Sequence, residues 1–567
     1  MPSVVQIHYL PPWCESLLAI AVLSKLIVRI YRYNYPRGKL MRIRSIAVVT
    51  LLVLAGCSAT SDSADLSEYL SQDVQWEICP EDYFLKKDYR FAGFEKDNVT
   101  CAEIEVPISY DDLSLGAKTV AMMGMGSRAD QVVFYNPGGP GASGIEAIQT
   151  IDFPDVLDQE YFIIGFDPRG VGFSSPIRCD DDADLESYYK FDLYIESQTE
   201  ADEFIEAEQK FTADCAAANP YWWTITTENT VQDIELMRAV LTDQPLNFIG
   251  SSYGTTLAME YLRAYPENIG KIMLDSPVLI GLDNDEDALQ QGKGFNDSFE
   301  RLFAACAADA KCPGDSVMAV AELIKEKLIA ADDGKVLGYW GVQQSSLNPD
   351  ATVASANMIM DGLSQMSYYE LDDVYSDFRE GMIELIEKND SWIFEFYGLL
   401  FNGYDPETKE RSNMSEILYI VNCLDIDSRD FDSLDELKEF DKRYQAAAPL
   451  VHYLYTPPNG FIWSSARQGC EWSWLAFDDN SIPDPPAKVP GPVNESGKQI
   501  LIIASEGDNA TPYVGAVKVA RQLKSPLVTF TGTGHAIAFN GNACLAEQIT
   551  NFFAATGSLA AVTCDPD

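Results

Sequence analysis

The chain has 567 residues, 47% hydrophobic and 11% aromatic, with 40 Lys and Arg against 87 Asp and Glu for a formal charge of −47. That apolar content excludes a disordered chain, the length calls for two or more folded units, and the acidity excludes the positive field that draws proteins onto nucleic acid. Only three His occur in the whole chain, which argues against a His-rich metal site and leaves few positions for a catalytic imidazole.

In chain order, the first distinct segment is Met41-Arg-Ile-Arg, followed by the run Ser45 to Leu54 and by Ala55-Gly56-Cys57. A basic start, a short apolar run and small residues read as a secretory signal, the run being too short to span a bilayer comfortably. Leu54-Ala55-Gly56-Cys57 resembles the bacterial lipobox, which implies lipidation of Cys57, a polar tether over 57–74, and export to the cell envelope with a lipid anchor as the sole membrane contact. Ser58 after that Cys resembles an outer-membrane address. Residues 1–40 contain another apolar stretch, Leu17 to Ile30, broken by Lys25 and Arg29, and read as an extension upstream of a start at Met41. Loss of residues 1–56 would remove seven basic residues and one acidic residue, leaving the exported chain more acidic still.

Ten further cysteines follow: Cys79, Cys101, Cys179, Cys215, Cys306, Cys312, Cys423, Cys470, Cys544 and Cys564. An even number suits an oxidising compartment, and no Cys-x-x-Cys spacing favours a metal. Connectivity is open from sequence, and pairing of successive neighbours is the expectation.

The folded part alternates short β-rich runs with helical patterns in two regions. In the first (75–282), Gln131 to Tyr135, Tyr161 to Phe166, Leu246 to Ile249 and Lys271 to Leu274 read as buried strands, with helices at Thr230 to Leu241 and Thr255 to Tyr265. From 283 to 480 the pattern is mainly helical, with helices predicted at Phe299 to Ala308, Ser316 to Ala331, Leu371 to Lys388 and Leu434 to Ala447, and it reads as an inserted cap. The Pro-rich stretch Ile482 to Pro492 returns the chain to the sheet. The last region (481–567) repeats the alternation with strands at Gln499 to Ala504 and Leu527 to Phe530 and helices at Val514 to Leu523 and Leu545 to Phe553. The prediction is an α/β fold with a mostly parallel sheet between helical layers and an inserted helical cap.

Gly250-Ser251-Ser252-Tyr253-Gly254 matches G-x-S-x-G. A bare match carries little weight, but here an apolar strand leads in and an amphipathic helix leads out, as a sharp turn presenting Ser252 requires. A Ser hydroxyl needs a base oriented by a third group. Two His remain downstream of the leader. His452 lies in the predicted cap, where a packing role is expected, whereas His535 follows the strand Leu527 to Phe530, where a loop at the carboxyl end of a parallel sheet can bring it to Ser252. The acid is expected at Asp508, after the strand Gln499 to Ala504, with Glu506 as its local competitor. Gly139 and Tyr253 are the expected oxyanion donors, because Asn136-Pro-Gly138-Gly139-Pro140-Gly141 directly follows an early strand and Tyr253 follows the nucleophile. Asp167 and Arg169, in the loop after the next strand, read as scaffold that ties neighbouring loops by charged hydrogen bonds.

Taken together, NPGGPG, DPRGVGFS, GSSYG, Cys423-Leu-Asp425, Cys470-Glu471-Trp472, GDNATP and GHAIAFNGNAC resemble the tripeptidyl-aminopeptidase and proline-iminopeptidase-like serine peptidases of the α/β-hydrolase fold. The resemblance runs from about Gln75 to Cys564 and agrees with the order Ser252, Asp508, His535. It implies cofactor-free cleavage of peptides with free N-termini by a Ser-His-Asp acyl-enzyme mechanism, with cap acids holding the α-amino group. Asp425 and Glu471, beside the proposed Cys423–Cys470 bridge, are the expected acids. Two departures stand out: Pro137 replaces the His that single-residue iminopeptidases carry, which favours the tripeptidyl branch, and Asp275-Ser276-Pro277 replaces the usual Asp-Gly. An esterase on the same fold is the rival, since triad and oxyanion hole do not separate ester from amide. A non-catalytic binding protein on this scaffold is disfavoured because every catalytic position is filled.

Overall fold

The computed structural model describes residues 65–86, 90, 91, 93–126, 131–179, 193–282, 284–339, 352–405, 410–425, 434–460, 491, 493, 494, 497, 498, 500–554 and 560–566. The chain divides into Met1–Glu68 and a large unit, Tyr69–Asp567, to which the elements below belong. Cys57, Cys470 and Glu471 lie outside the described residues.

The large unit is organised on a nine-stranded sheet. Its strands are β1 (Val99–Pro107), β2 (Ala117–Met125), β3 (Val132–Asn136), β4 (Phe162–Phe166), β5 (Leu246–Ser251), β6 (Ile269–Asp275), β9 (Ile500–Gly507), β10 (Leu527–Thr533) and β11 (Val562–Cys564). A separate two-stranded ribbon comprises β7 (Leu337–Gly338) and β8 (Thr352–Val353). The sheet order is β1-β2-β4-β3-β5-β6-β9-β10-β11. β2 runs antiparallel to both β1 and β4, and every pairing from β4 to β11 is parallel.

The central strands read as continuous apolar runs because both faces are covered. Phe134, Phe248, Leu274 and Ile502 point to one face, where they meet the helices Thr227–Leu241, Tyr253–Ala264 and Tyr513–Leu523 through Ile234, Leu257 and Val519. Val133, Ile249, Met273 and Ile503 point to the other, against Leu157, Leu545 and Ile549 of the helices Asp155–Glu160 and Ala543–Phe553. This alternation is the period-two signature of a strand. β1 and β2 were not anticipated from the sequence: β1 is interrupted by exposed Glu103 and Glu105, as suits an outer strand with one wet face.

Between β6 and β9 the described chain is mainly helical: Asn284–Ala308, Val317–Asp332, Ala356–Met366, Leu371–Ile383, Trp392–Phe401, Met414–Asp425, Leu434–Ala447 and Pro449–Tyr455. Most of these close around a core of their own that includes Phe299, Phe303, Ile324, Leu363, Phe378 and Phe394. The helix Met414–Asp425 differs. Its Ile417, Ile420, Val421 and Leu424 pack with Val171, Ile177, Cys179 and Cys215 in a separate cluster over the loop after β4.

Four disulfides join Cys79–Cys101, Cys179–Cys215, Cys306–Cys312 and Cys544–Cys564, each between successive cysteines. Cys423 is also disulfide-bonded. Such a set marks an exported protein. No helix among the described residues is long and apolar enough to cross a membrane.

Candidate active site

Ser252 sits between β5 and the helix Tyr253–Ala264 with φ 53° and ψ −125°, a backbone conformation rare outside glycine. The flanking glycines make this turn possible. A methyl group on Gly250 would lie 2.3 Å from Gly254 O, and one on Gly254 would lie 2.4 Å from Asn136 O, so any larger residue would push the turn off the sheet. The Ser252 N–H donates to Asp275 O at 3.0 Å, which ties the turn to the end of β6.

The loop after β3 approaches from the other side. A methyl group on Gly138 would meet Ser251 O at 2.5 Å and Tyr253 N at 2.8 Å, so the two loops touch. Gly138, Gly139 and Gly141 all have φ 101°. The Gly138 N–H is taken by Asn136 Oδ1 at 3.0 Å. Those of Gly139 and Tyr253 have no acceptor among the described residues, which leaves both free to donate to a developing oxyanion.

His535 and Asp508 meet at the ends of β10 and β9. The imidazole Nδ1 lies 2.9 Å from Asp508 Oδ1 and 3.0 Å from Oδ2. The side chains are 8% and 0% exposed. Asp508 is held in turn by Thr511, whose N–H donates to Oδ1 at 2.8 Å and whose hydroxyl donates to Oδ2 at 3.0 Å. Glu506, two residues earlier, is exposed. Burial works against the charged form of the imidazole, but the Asp508 carboxylate and its hydrogen bond, together with Asp275, outweigh it and hold the His535 pKa above its ordinary value.

No hydrogen bond joins the Ser252 hydroxyl to the imidazole in this structure. What draws the two loops together is the residue pair ending β6. The Asp275 carboxylate accepts the Ser251 hydroxyl at 3.2 Å and the Ala538 N–H at 3.2 Å, and Ser276 Oγ accepts the Ala536 N–H at 2.9 Å. Burial pushes the Asp275 carboxyl up to about 7. Sequence reasoning registered these positions only as a departure from the family pattern.

Asp425 ends the helix Met414–Asp425. Its carboxylate accepts the Thr227 N–H at 3.1 and 3.3 Å, and Thr227 Oγ1 lies 2.5 Å from the Tyr253 hydroxyl. The acid therefore connects through Thr227 to the residue beside Ser252. Burial, only partly offset by the hydrogen bonds from Thr227, pushes its carboxyl up to about 7. The same helix rests on the loop after β3, where a methyl group on Gly141 would come within 2.7 Å of Met414 O.

His452 is occupied elsewhere in the cap, with Nε2 3.1 Å from Asp441 Oδ1 and Nδ1 3.2 Å from Thr456 Oγ1. Asp167 and Arg169 serve separate ties. The Asp167 carboxylate accepts from the Ser143 hydroxyl and the Phe173 N–H, at 2.6 and 2.9 Å. Arg169 forks onto Asp233 at 2.6 and 2.5 Å and donates to Ile108 O at 2.9 Å. No group of three or more metal-ligating side chains is disposed to hold an ion among the described residues.

Residues 131–368 match the family described as alpha/beta hydrolase fold, and residues 460–564 match the family described as TAP-like protein. Serine protease Hip1 of Mycobacterium tuberculosis (strain ATCC 25618 / H37Rv) is 27% identical over 532 residues, covering 91% of this chain and 95% of that protein. Carboxylesterase B of the same strain is 26% identical over 80% of this chain and 84% of its own. Tripeptidyl aminopeptidase of Streptomyces coelicolor is 24% identical, over 87% of this chain and 86% of that protein.

Proposed function

Because the chain belongs to the serine peptidases of the α/β-hydrolase fold, we propose that it is an aminopeptidase that releases short peptides, such as tripeptides, from free N-termini. The observation that carries the reading is the buried His535–Asp508 pair at the carboxyl end of the sheet, facing the same edge as the strained Ser252 turn. Ser252 Oγ attacks the scissile carbonyl carbon while its proton passes to His535 Nε2. The N–H groups of Gly139 and Tyr253 receive the developing oxyanion. His535 returns the proton to the leaving amine as the C–N bond breaks, leaving an acyl-enzyme, and then activates a water that releases the peptide acid. Asp508 holds the imidazole in the required tautomer throughout. No cofactor takes part.

The α-amino group of the substrate is assigned to Asp425 together with Glu471. An incoming ammonium stabilises the charged form of a carboxyl that burial otherwise keeps partly protonated near neutral pH. Lipidation at Cys57 would tether the enzyme in the cell envelope, and the lipobox-like Leu54-Ala55-Gly56-Cys57 supports that reading.

Chromogenic tripeptide amides, N-blocked versions of them and short acyl esters test the proposal together. Turnover of free peptides with loss on N-blocking is the expected result. Equal turnover of blocked and free peptides removes the aminopeptidase assignment, and turnover of esters alone favours an esterase, the activity named for one of its relatives.

A further inference from the structure

The cap reaches the catalytic base through one short turn. Ser367 to Leu371 joins the helices Ala356–Met366 and Leu371–Ile383, whose Ile359, Leu363, Val374 and Phe378 are fixed in the cap core. From this turn, Ser367 Oγ accepts the Asn509 side-chain N–H at 2.9 Å, next to Asp508. Tyr368 O accepts the His535 N–H at 3.0 Å. The Glu370 carboxylate accepts the Asn540 side-chain N–H at 2.7 Å, and the Leu371 N–H donates to Thr533 Oγ1 at 2.8 Å. Gly534, at φ 102°, lets the backbone lie flat there, since a methyl group on it would sit 3.3 Å from Glu370 Cγ.

The Tyr368 ring completes the contact. It stands perpendicular to the imidazole, centroids 5.4 Å apart at 89°, and is itself set edge-on to Phe295 and Phe401 at 6.0 and 6.3 Å. Asp508 constrains His535 only through Nδ1, which leaves the imidazole free to pivot about that hydrogen bond. A ring standing perpendicular to it at contact distance restricts that pivot, and the backbone bond fixes where the side chain starts.

We propose that Tyr368 is a positioning residue for His535 and that the turn Ser367 to Leu371 clamps the base, so that the cap is a working part of the active site as well as a cover over it. This rests on the reading of Ser252 and His535 as nucleophile and base. A side chain held slightly out of line costs rate far more than binding, on the order of 10–100-fold.

Three variants test it in the full chain: Tyr368→Ala, Tyr368→Phe, and the double variant Thr533→Val with Asn540→Ala, which undocks the turn without touching the cap core. Each is assayed for kcat, KM, the rate of Ser252 labelling by a fluorophosphonate, and the low-field proton resonance of the His535–Asp508 hydrogen bond. The expected result for Tyr368→Ala and the double variant is a fall in kcat of about 10–100-fold with KM within about threefold, slowed labelling and a broadened resonance. Tyr368→Phe, which keeps the ring, restores kcat to within about twofold. A kcat within twofold of wild type in both undocked variants overturns the proposal, as does a rise in KM alone, which would make the turn a substrate contact. Wild type that is folded yet unlabelled would instead sink the hydrolase mechanism itself.

Discussion

Ser276 Oγ accepts the backbone N–H of Ala536, the residue after the base, at 2.9 Å across 260 positions of chain. Both residues have left-handed backbone, φ 53° and 56°. Asp275, immediately before, holds the Ser252 N–H through its carbonyl and the Ala538 N–H through its carboxylate. One dipeptide thus holds both the nucleophile turn and the base loop. A glycine at 276 would suit the φ value but would have no hydroxyl to offer.

Two substitutions at Ser276 separate these effects. Ser276→Ala keeps the strained φ and loses the hydrogen bond, and should cost about 0.5–1.5 kcal/mol. Ser276→Gly loses the same bond but relieves left-handed strain worth about 1–2 kcal/mol, so its stability should stay near wild type. Urea denaturation of both variants checks the order, and kcat should fall in both because the base loop is loosened.

Activity requires His535 neutral, so the upward push on its pKa places the acid limb of the kcat/KM profile above about 6.5. Asp508→Asn removes the strongest push and should move that limb to lower pH, with kcat reduced about 10⁴-fold. Asp275→Asn should also move the limb down, with a smaller loss of kcat. Asp275, pushed up to about 7, loses its proton over the same range, and its charge favours the protonated imidazole. A limb left unmoved by Asp275→Asn would remove Asp275 from this coupling.

Arg169 and Asp233 form a buried fork, with side chains 0% and 2% exposed. Removing one partner strands the other charge, so Arg169→Leu or Asp233→Leu alone should cost about 3–5 kcal/mol. The double replacement should cost clearly less than the sum of the two. A double-mutant cycle in urea measures the difference, and simple additivity would argue against a mutual tie.

The Cys544–Cys564 bridge, 20 residues apart, ties β11 to the helix Ala543–Phe553, while β11 pairs with β10. Replacing both cysteines by Ser should cost about 3 kcal/mol. The same change at Cys306 and Cys312, separated by 6, should cost nearer 2 kcal/mol because a shorter loop is released. Denaturation midpoints under non-reducing conditions test the ranking.

Particular residues show which parts were readable in advance. The strand before Ser252 and the helix after it were legible because a nucleophile turn imposes steric demands on adjacent residues, small side chains at Gly250 and Gly254 above all. β1, β2 and the helix Gln198–Ala218 were missed. β1 and the helix carry weaker apolar patterns because each has a wet face, whereas β2 is largely buried but is built partly from Ala and Gly, which are poor strand formers. The cap was legible as an interruption of the strand pattern, but its helix Met414–Asp425 packs over the loop after β4, away from the main cap core, and no local pattern announces that choice of partner.

By itself, the sequence determined the α/β architecture, the turn that presents Ser252 and the narrow choice of base, because apolar periodicity, glycine placement and residue scarcity are all written along the chain. The choice of Asp508 over Glu506 was also readable, but only the tertiary structure decided that Ser276 answers Ala536 and that Tyr368 stands against the imidazole. These are contacts between loops brought together from distant parts of the chain. Their geometry depends on where each strand ends on the sheet and which way each loop turns, and neither is encoded in any short stretch of residues.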